Sequence, residues 1–183
     1  GTVEAVGKDV TEFRVGDDVF GGRDGALAEY VVVRDSRGVV PKPANVSMEQ
    51  AGSVGVAALT ALQGLRDKGQ LQAGQQVLIN GASGGVGTFA IQIAKWLGAE
   101  VTAVCSTRNV ELARTLGADH VIDYSKDDFT RSEQRFDLIF DVAGSKPWRA
   151  VRRVLKPKAT LVMVGAPKGG RVLGPMSHLI RMR

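Results

Sequence analysis

The sequence predicts an α/β fold built on a doubly wound parallel sheet, and three observations support this prediction. Short apolar runs recur after residue 76, and segments with helical spacing separate them. These runs lack the alternation of a strand with one solvated face, so they are typical of parallel strands covered on both faces. One run also leads into a glycine turn that a helix pattern follows at once.

Residues 1–45 are predicted to form a separate, partial β domain. Thr2–Val6 and Ala28–Val33 are rich in β-branched and aromatic residues, and turns such as Gly16-Asp17-Asp18 separate these runs. Val40-Pro41-Lys42-Pro43 then favours an extended linker, because proline fixes φ and lacks an N–H group. We therefore expect a domain boundary here or just after it.

A helix is predicted to open the second domain, residues 46–183. Ser47-Met48-Glu49-Gln50 has the spacing of a capping box, in which the Ser47 and Gln50 side chains each satisfy an end group. Small and apolar residues continue at helical spacing through Leu65. The pattern predicts one long, mostly buried helix, ended by Gly69 and Gly74.

Strands and helices are predicted to alternate after residue 76. The helices are expected over residues 86–97, 109–116 and 147–155. A sheet of this kind binds its ligand at the carboxyl ends of its strands. The predicted strands are Val77–Asn80, Val101–Cys105, Val121–Asp123, Leu138–Val142 and Thr160–Val164.

The composition is typical of a globular protein without disulfides. The 183 residues are 44% hydrophobic and 23% charged. No apolar run reaches the ~18 residues of a membrane helix, and the first residues show no signal pattern, so we expect a cytoplasmic protein with no membrane partner. A single cysteine excludes an internal disulfide and a multi-cysteine zinc site. The net charge of +5 lacks interleaved aromatic residues, so a solvated surface is favoured over a nucleic-acid groove.

The turn from Asn80 to Gly87 is the strongest functional signal. Aligned on the pattern G-x-G-x-x-G, Ala82 takes the first position, and Gly84 and Gly87 take the second and third. Gly84 would let the backbone approach a pyrophosphate, and Gly87 would let the helix pack tightly on the strand. Free N–H groups and the positive end of a helix dipole attract phosphate. Because the turn follows a strand and opens a helix, it predicts a dinucleotide site; the alternative is a merely structural turn.

The end of the second predicted strand favours NADP(H) over NAD(H). The fingerprint expects an acid roughly 20 residues on, to hold the ribose 2′-hydroxyl. Cys105 is followed instead by Ser106-Thr107-Arg108. Hydroxyls and a permanently charged guanidinium suit a 2′-phosphate, which an acid would repel. The alternative is a helix N-cap followed by a solvated Arg108.

A set of ordered motifs along nearly the whole chain resembles a known family. They are Gly16-Asp17-Asp18-Val19-Phe20-Gly21, Ala28-Glu29-Tyr30-Val31-Val32, Ala58-Leu59-Thr60-Ala61, the turn from Asn80 to Gly87, Leu116-Gly117-Ala118-Asp119 and Leu155-Lys156-Pro157. In this order they resemble the zinc-independent medium-chain dehydrogenases/reductases, and most closely the quinone oxidoreductase branch. The resemblance implies part of a GroES-like catalytic domain (1–45) before a Rossmann NADP(H)-binding domain (46–183) without its last strand. It also implies that the chain is a fragment of a longer enzyme.

The same resemblance implies the chemistry and the cofactor site. Members transfer a hydride between NADP(H) and a quinone, an enone or a related electrophile, and the full-length form is expected to be a homodimer. No catalytic residue can be carried over by motif. Carried over by position, the pyrophosphate residues are Ser83, Gly84, Gly85 and Val86, and the 2′-phosphate residues are Ser106, Thr107 and Arg108, with Asn109 as the alternative to Arg108. Tyr124 is assigned to the adenosine end and Thr60 to the nicotinamide side; the remaining cleft is assigned to Val142, Ala143, Gly144, Val164, Gly165 and Ala166.

No metal site is expected. The zinc alcohol dehydrogenases carry a lobe with four closely spaced cysteines after the Gly-Asp-x-Val element, whereas this chain passes directly through Arg23 to Tyr30. Two other functions stay open as alternatives. One is an NADP-binding module without turnover, such as a sensor or a stress protein. The other is a methyltransferase, which also uses a glycine turn but usually needs an acid where Ser106 stands.

Overall fold

The structure is a computed structural model that describes residues 1–21, 25–33 and 38–165. The chain divides into two compact units, Gly1–Leu59 and Thr60–Arg183. The predicted α/β class is confirmed, because the second unit contains a parallel sheet with helices against it. Among the described residues, none of the helices is long and apolar enough to cross a bilayer.

The first unit contains a small antiparallel sheet. β1 (Val19–Gly21) pairs with β2 (Val39–Pro41), and Thr2 forms an isolated bridge with Asp18. The turn predicted at Gly16 is confirmed, since this residue has a φ of +94°. That left-handed conformation favours glycine.

Two strand predictions in the first unit were wrong within the described residues. Thr2–Val6 contributes only the bridge at Thr2, and Ala28–Val33 forms no strand. Tyr30 and Val32 are instead 75% and 76% exposed. β-branched and aromatic residues suit a pleated surface, but a strand forms only where a neighbouring strand pairs with its backbone groups. Composition alone therefore could not decide these two segments.

α1 (Met48–Leu62) begins at the predicted capping box. Ser47 N donates to Gln50 Oε1 over 2.9 Å, and Gln50 N donates to Ser47 Oγ over 3.2 Å. The helix continues as a π-helical segment, Gln63–Lys68, and reaches its C-cap at Gly69. The predicted start and the first predicted end are therefore confirmed.

The prediction that this helix is mostly buried was wrong. Ala61 and Leu65 are fully buried, whereas Val56 and Leu59 are 81% and 52% exposed. Apolar residues occur on both faces of the helix, so their spacing did not identify the buried face. Packing identifies it: a Cβ on Gly64 would lie 2.3 Å from the ring of Phe140, so the helix approaches the sheet through glycine.

The second unit is built on a sheet of parallel strands. The strands are β3 (Gln76–Asn80), β4 (Glu100–Cys105), β5 (His120–Asp123), β6 (Phe136–Asp141) and β7 (Leu155–Met163). Within the described residues their order is β5-β4-β3-β6-β7. The chain first moves outward from β3 to β5 and then returns to the other side of β3, so the order reverses between β3 and β6. Sheets of this class bind ligands outside the carboxyl ends of the strands at such a reversal.

Both faces of the sheet are covered, as the uninterrupted apolar runs predict. The helices are α2 (Gly85–Trp96), α3 (Val110–Thr115) and α4 (Trp148–Val151), and the 3-10 segments are Thr107–Asn109, Phe129–Arg131 and Arg152–Val154. Val77 and Ile79 belong to one buried cluster, which includes residues of α2 and α3. Leu78, between them, belongs to a second cluster that includes residues of α4 and of the last two 3-10 segments.

β7 begins earlier than the predicted strand, and α4 is shorter than the predicted helix. The chain leaves α4 through a 3-10 turn and enters β7 at Leu155. The pairing of β6 with β7 is irregular between Leu155 and Thr160. Pro157 has no N–H group to donate, and Lys158 has a φ of +65°, so the regular pairing of β7 with β6 is disturbed there.

Candidate functional site

The glycine turn lies at the carboxyl end of β3, in the middle of the sheet. Gly81 has a φ of +86°, which favours glycine. The N–H groups of Gly81 and Ala82 both donate to Val104 O in β4, over 3.3 and 3.0 Å. α2 begins at Gly85, so its first N–H groups, which have no partner within the helix, lie at this edge of the sheet. Free N–H groups at the start of a helix are an arrangement that suits a bound phosphate.

Glycines play two different roles in this turn. Gly87 is buried, and a Cβ there would lie 2.3 Å from Gly81 O, so α2 approaches the turn only because residue 87 has no side chain. The tight packing predicted for Gly87 is confirmed. Gly84 and Gly85 are exposed, and a Cβ on Gly85 would meet nothing within 4 Å. The open side of the turn therefore has room for a pyrophosphate, as the fingerprint requires.

Asn109 connects the glycine turn to the loop after β4. Its Nδ2 donates to Ser83 Oγ over 3.0 Å and to Ser106 Oγ over 3.2 Å. Two residues predicted for different phosphates of the cofactor, Ser83 and Ser106, are thus joined through one amide. Arg108, which directly precedes Asn109 in the chain, is exposed.

An acidic side chain lies beside the same loop. Asp123, the last residue of β5, is opposite Cys105 in the parallel register. Its Oδ2 accepts a hydrogen bond from Thr107 Oγ1 over 2.5 Å, and its Oδ1 accepts one from Ser125 N over 3.0 Å. Lys126 Nζ lies 3.8 Å from Oδ2. The Thr107 hydroxyl, chiefly, holds the pKa of Asp123 below its ordinary value, so this carboxylate is charged at neutral pH.

A buried polar pair organises the other side of the edge. Asn80 ends β3 and Asp141 ends β6, and they are 3% and 2% exposed. Asn80 Nδ2 donates to Asp141 Oδ1 over 2.8 Å and to Ser145 Oγ over 3.2 Å. Gly144 N donates to the same Asp141 Oδ1 over 2.8 Å. Two side chains therefore fix the loop that follows β6.

Backbone contacts draw the loops after β3, β6 and β7 together. Val142 N and Ala143 N donate to Asn80 O over 2.9 and 3.3 Å. Val164 N donates to Asp141 O over 2.8 Å. A Cβ on Gly165 would lie 2.0 Å from Val142 O, so these loops approach closely through glycine. The predicted cleft residues of these loops that the structure describes are thus brought to one edge.

The remaining predicted site residues are more scattered. Tyr124 follows β5, is 62% exposed, and donates its N–H to Cys105 O over 3.0 Å. Thr60 is half-buried near the end of α1. Ala166 lies outside the described residues.

Sequence reasoning missed four side chains of this edge as site residues: Asn80, Asp123, Asp141 and, except as an alternative to Arg108, Asn109. A signal for the two acids was present, since each ends a short apolar run of the sequence and polar residues at the carboxyl ends of parallel strands face the ligand crevice. The fingerprint expects its acid at the end of the second strand. Asp123 ends the third, and the register of β4 with β5 brings it to the same place.

The single cysteine of the chain is buried at the end of β4. Cys105 is 1% exposed, and burial raises the pKa of its thiol. Within residues 1–21, 25–33 and 38–165, no three or more His, Cys, Asp or Glu side chains are grouped so that they could hold a metal ion.

Comparison with known proteins gives consistent relatives. The family model described as zinc-binding dehydrogenase matches residues 85–183. A trans-enoyl reductase, pgmF, from Aspergillus terreus is 41% identical over 86% of this chain and 47% of its own length. The mitochondrial NAD(P)H oxidoreductase RTN4IP1 from Mus musculus is 44% identical over 79% of this chain and 39% of its own length.

The solved structure of a quinone oxidoreductase from Coxiella burnetii has the same fold. It superposes with a TM-score of 0.78 at 33% identity, over 88% of this chain and 52% of that one. The chain therefore spans about half the length, or less, of these relatives.

Proposed function

The chain belongs to the medium-chain dehydrogenase/reductase family that the zinc-binding dehydrogenase model describes, and we propose that it is the nucleotide-binding part of an NADP(H)-dependent oxidoreductase. The proposed reaction transfers a hydride between the nicotinamide and a quinone, an enone or a related carbonyl compound, without zinc. The observation that carries the proposal is the open glycine turn at the strand-order reversal, where exposed Gly84 and Gly85 leave room for a pyrophosphate.

The cofactor's pyrophosphate is assigned to the turn at Ser83 and its 2′-phosphate to the loop at Ser106, and Asn109 contacts both serines. Ser83, Gly84, Gly85 and Val86 would bind the pyrophosphate. Ser106 and Arg108 would bind the 2′-phosphate, with Arg108 supplying a permanent charge. Thr107 is a further residue of the cofactor site and lies beside them. The Asn109 amide supports both groups, because it holds Ser83 and Ser106 in one arrangement.

The rest of the chain's contribution is positioning. A bound nicotinamide supplies the hydride, while the protein orients it and excludes water. Tyr124 is assigned to the adenosine end, and Thr60 to the nicotinamide side. The loops after β6 and β7 would line the remaining cleft with Val142, Ala143, Gly144, Val164, Gly165 and Ala166.

The substrate class rests on the resemblance and on the names of the relatives. Those names describe a trans-enoyl reductase, an NAD(P)H oxidoreductase and a quinone oxidoreductase. An enoyl reductase and a quinone oxidoreductase would both transfer a hydride to a conjugated carbonyl compound. A homodimer of the full-length protein is part of the same proposal.

The test is a titration of the complete gene product with NADPH and NADH by calorimetry, followed by a panel of quinones and enones. We expect NADPH to bind at least tenfold more tightly, and one class on the panel to oxidise it. Zinc content is measured on the same sample, and activity should survive a chelator. Equal affinity for both cofactors contradicts the NADP(H) assignment, and binding of neither contradicts the whole proposal. Binding without oxidation of NADPH favours a binding module.

A further inference from the structure

Asp123 is an acid in the region where an NADP(H) site should have none. It ends β5 directly beside the end of β4, where the ribose of a dinucleotide is expected. Its side chain is only 10% exposed, and its neighbours are polar. A free carboxylate in this position would accept a hydrogen bond from a ribose 2′-hydroxyl and would repel a 2′-phosphate.

The carboxylate is not free in this structure, because both of its oxygens accept hydrogen bonds. Oδ2 accepts from Thr107 Oγ1 over 2.5 Å, and Oδ1 accepts from Ser125 N over 3.0 Å. Lys126 adds a positive charge 3.8 Å away. A charged acceptor held by such donors keeps its orientation and has part of its field compensated.

Thr107 has a single hydroxyl proton, which this arrangement commits to Asp123. The hydroxyl therefore cannot donate that proton to a 2′-phosphate at the same time. Ser106 differs, because its Oγ accepts from Asn109 and keeps its own proton for another acceptor. The two neighbouring hydroxyls thus have different roles in the same loop.

We propose that Thr107 acts as a positioning residue that restrains Asp123 and thereby sets the preference for NADP(H) over NAD(H). The inference rests on the proposed function, since it concerns how that site chooses between the two cofactors. With the Thr107 hydroxyl in place, the carboxylate is directed to the protein. Without it, Asp123 becomes available to the ribose, so NADPH is repelled and NADH is not.

The test compares Thr107→Val, Asp123→Asn and the double variant in the complete gene product, with the dissociation constants of NADPH and NADH measured by calorimetry. We expect Thr107→Val to raise the dissociation constant of NADPH roughly tenfold and to leave that of NADH within about twofold of the wild-type value. Asp123→Asn should lower the dissociation constant of NADPH up to about threefold, because it removes the carboxylate charge that repels a 2′-phosphate. The double variant should match Asp123→Asn in the ratio of the two dissociation constants, because neither variant carries the charge that Thr107 restrains.

Thr115→Val is the matched control. It also removes a threonine hydroxyl, but this one donates to Glu111 O within α3. It should leave the ratio of the two affinities unchanged, and thermal melts of all variants report on folding.

Three outcomes overturn the inference: an unchanged NADPH affinity in Thr107→Val, an equal loss for both cofactors, or a loss that persists in the double variant. The last would mean that Thr107 binds the phosphate itself. If the wild-type protein binds neither cofactor, the proposed function fails, which is a different result.

Discussion

The two sides of the carboxyl edge around the glycine turn are held by different kinds of contact. On one side, which we call the β3–β6 side, Asn80 and Asp141 are almost fully buried and fix the loop after β6. On the other, the β4–β5 side, Asn109 and Thr107 make their contacts at the partly exposed surface. Both sides face the proposed cofactor cleft.

This difference in burial suggests different contributions: the β3–β6 side to the stability of the fold, and the β4–β5 side to the choice of cofactor. Removing the hydrogen-bond partner of a buried polar group costs far more free energy than losing a surface contact, because water cannot replace the lost hydrogen bond. The β3–β6 side should therefore tolerate little change, while the β4–β5 side can vary without unfolding the chain. A family that changes its cofactor would be expected to change the second side and keep the first.

The largest effect is expected for Asp141→Ala. It leaves the Asn80 amide and Gly144 N without their buried acceptor, so the free energy of unfolding should fall by about 3 kcal/mol. Urea denaturation measures this, and Asp141→Asn should recover most of the loss, because an amide oxygen still accepts.

Asp137→Ala is the matched control for that variant. Asp137 lies at the other end of β6, accepting from Gln76 N and Lys156 Nζ. Asp137→Ala should destabilise the protein without lowering its affinity for NADPH, whereas Asp141→Ala should lower both stability and affinity. If Asp141→Ala lowered the free energy of unfolding by less than about 1 kcal/mol, the contacts of the β3–β6 side would stabilise the fold no more than surface contacts do.

An intermediate effect is expected at the ion pair between Lys146 and Asp128. Lys146, following the β6 loop, lies 2.9 Å from Asp128 and, as the chief cause, lowers the pKa of that carboxyl to about 2. A lowered pKa stabilises the fold above the ordinary value of 3.8, and this stability is lost as the pH falls from there towards 2.

Lys146→Met should therefore lower the free energy of unfolding at pH 7 by about 1 kcal/mol, allowing for the partial exposure of the pair. The difference from the wild type should shrink at pH 3, in urea titrations at both pH values. Arg114→Met, which removes an exposed pair with Glu111, serves as control. If the stability difference between Lys146→Met and the wild type grew towards pH 3, the ion pair would not be the stabilising interaction.

The smallest effect on stability is expected for Asn109→Ala, on the β4–β5 side. It removes the contacts to Ser83 and Ser106, and unfolding should change by about 0.5 kcal/mol. NADPH affinity should nevertheless fall about fivefold, because the two serines lose their common support. If stability fell by as much as in Asp141→Ala, the contrast between the two sides would not hold.

Much of the second unit could be predicted from the chain alone. Val77, Leu78 and Ile79 are apolar without alternation, and each is buried. The glycine at residue 87 and, in the first unit, the capping box at Ser47 carry local signals that the structure confirms. The same reasoning failed for Ala28–Val33 and for Val56, because strand propensity does not supply a partner and an apolar residue can lie on either face of a helix.

By itself, the sequence determined the fold class, the glycine turn and the family, because each depends on local spacing and on backbone conformations that few residues adopt. Only the tertiary structure decided which polar residues meet at the cleft. Asn80 and Asp141 are 61 residues apart, and Thr107 and Asp123 are 16 apart. Strand register brings each pair together, and register is a property of the assembled sheet rather than of any one segment.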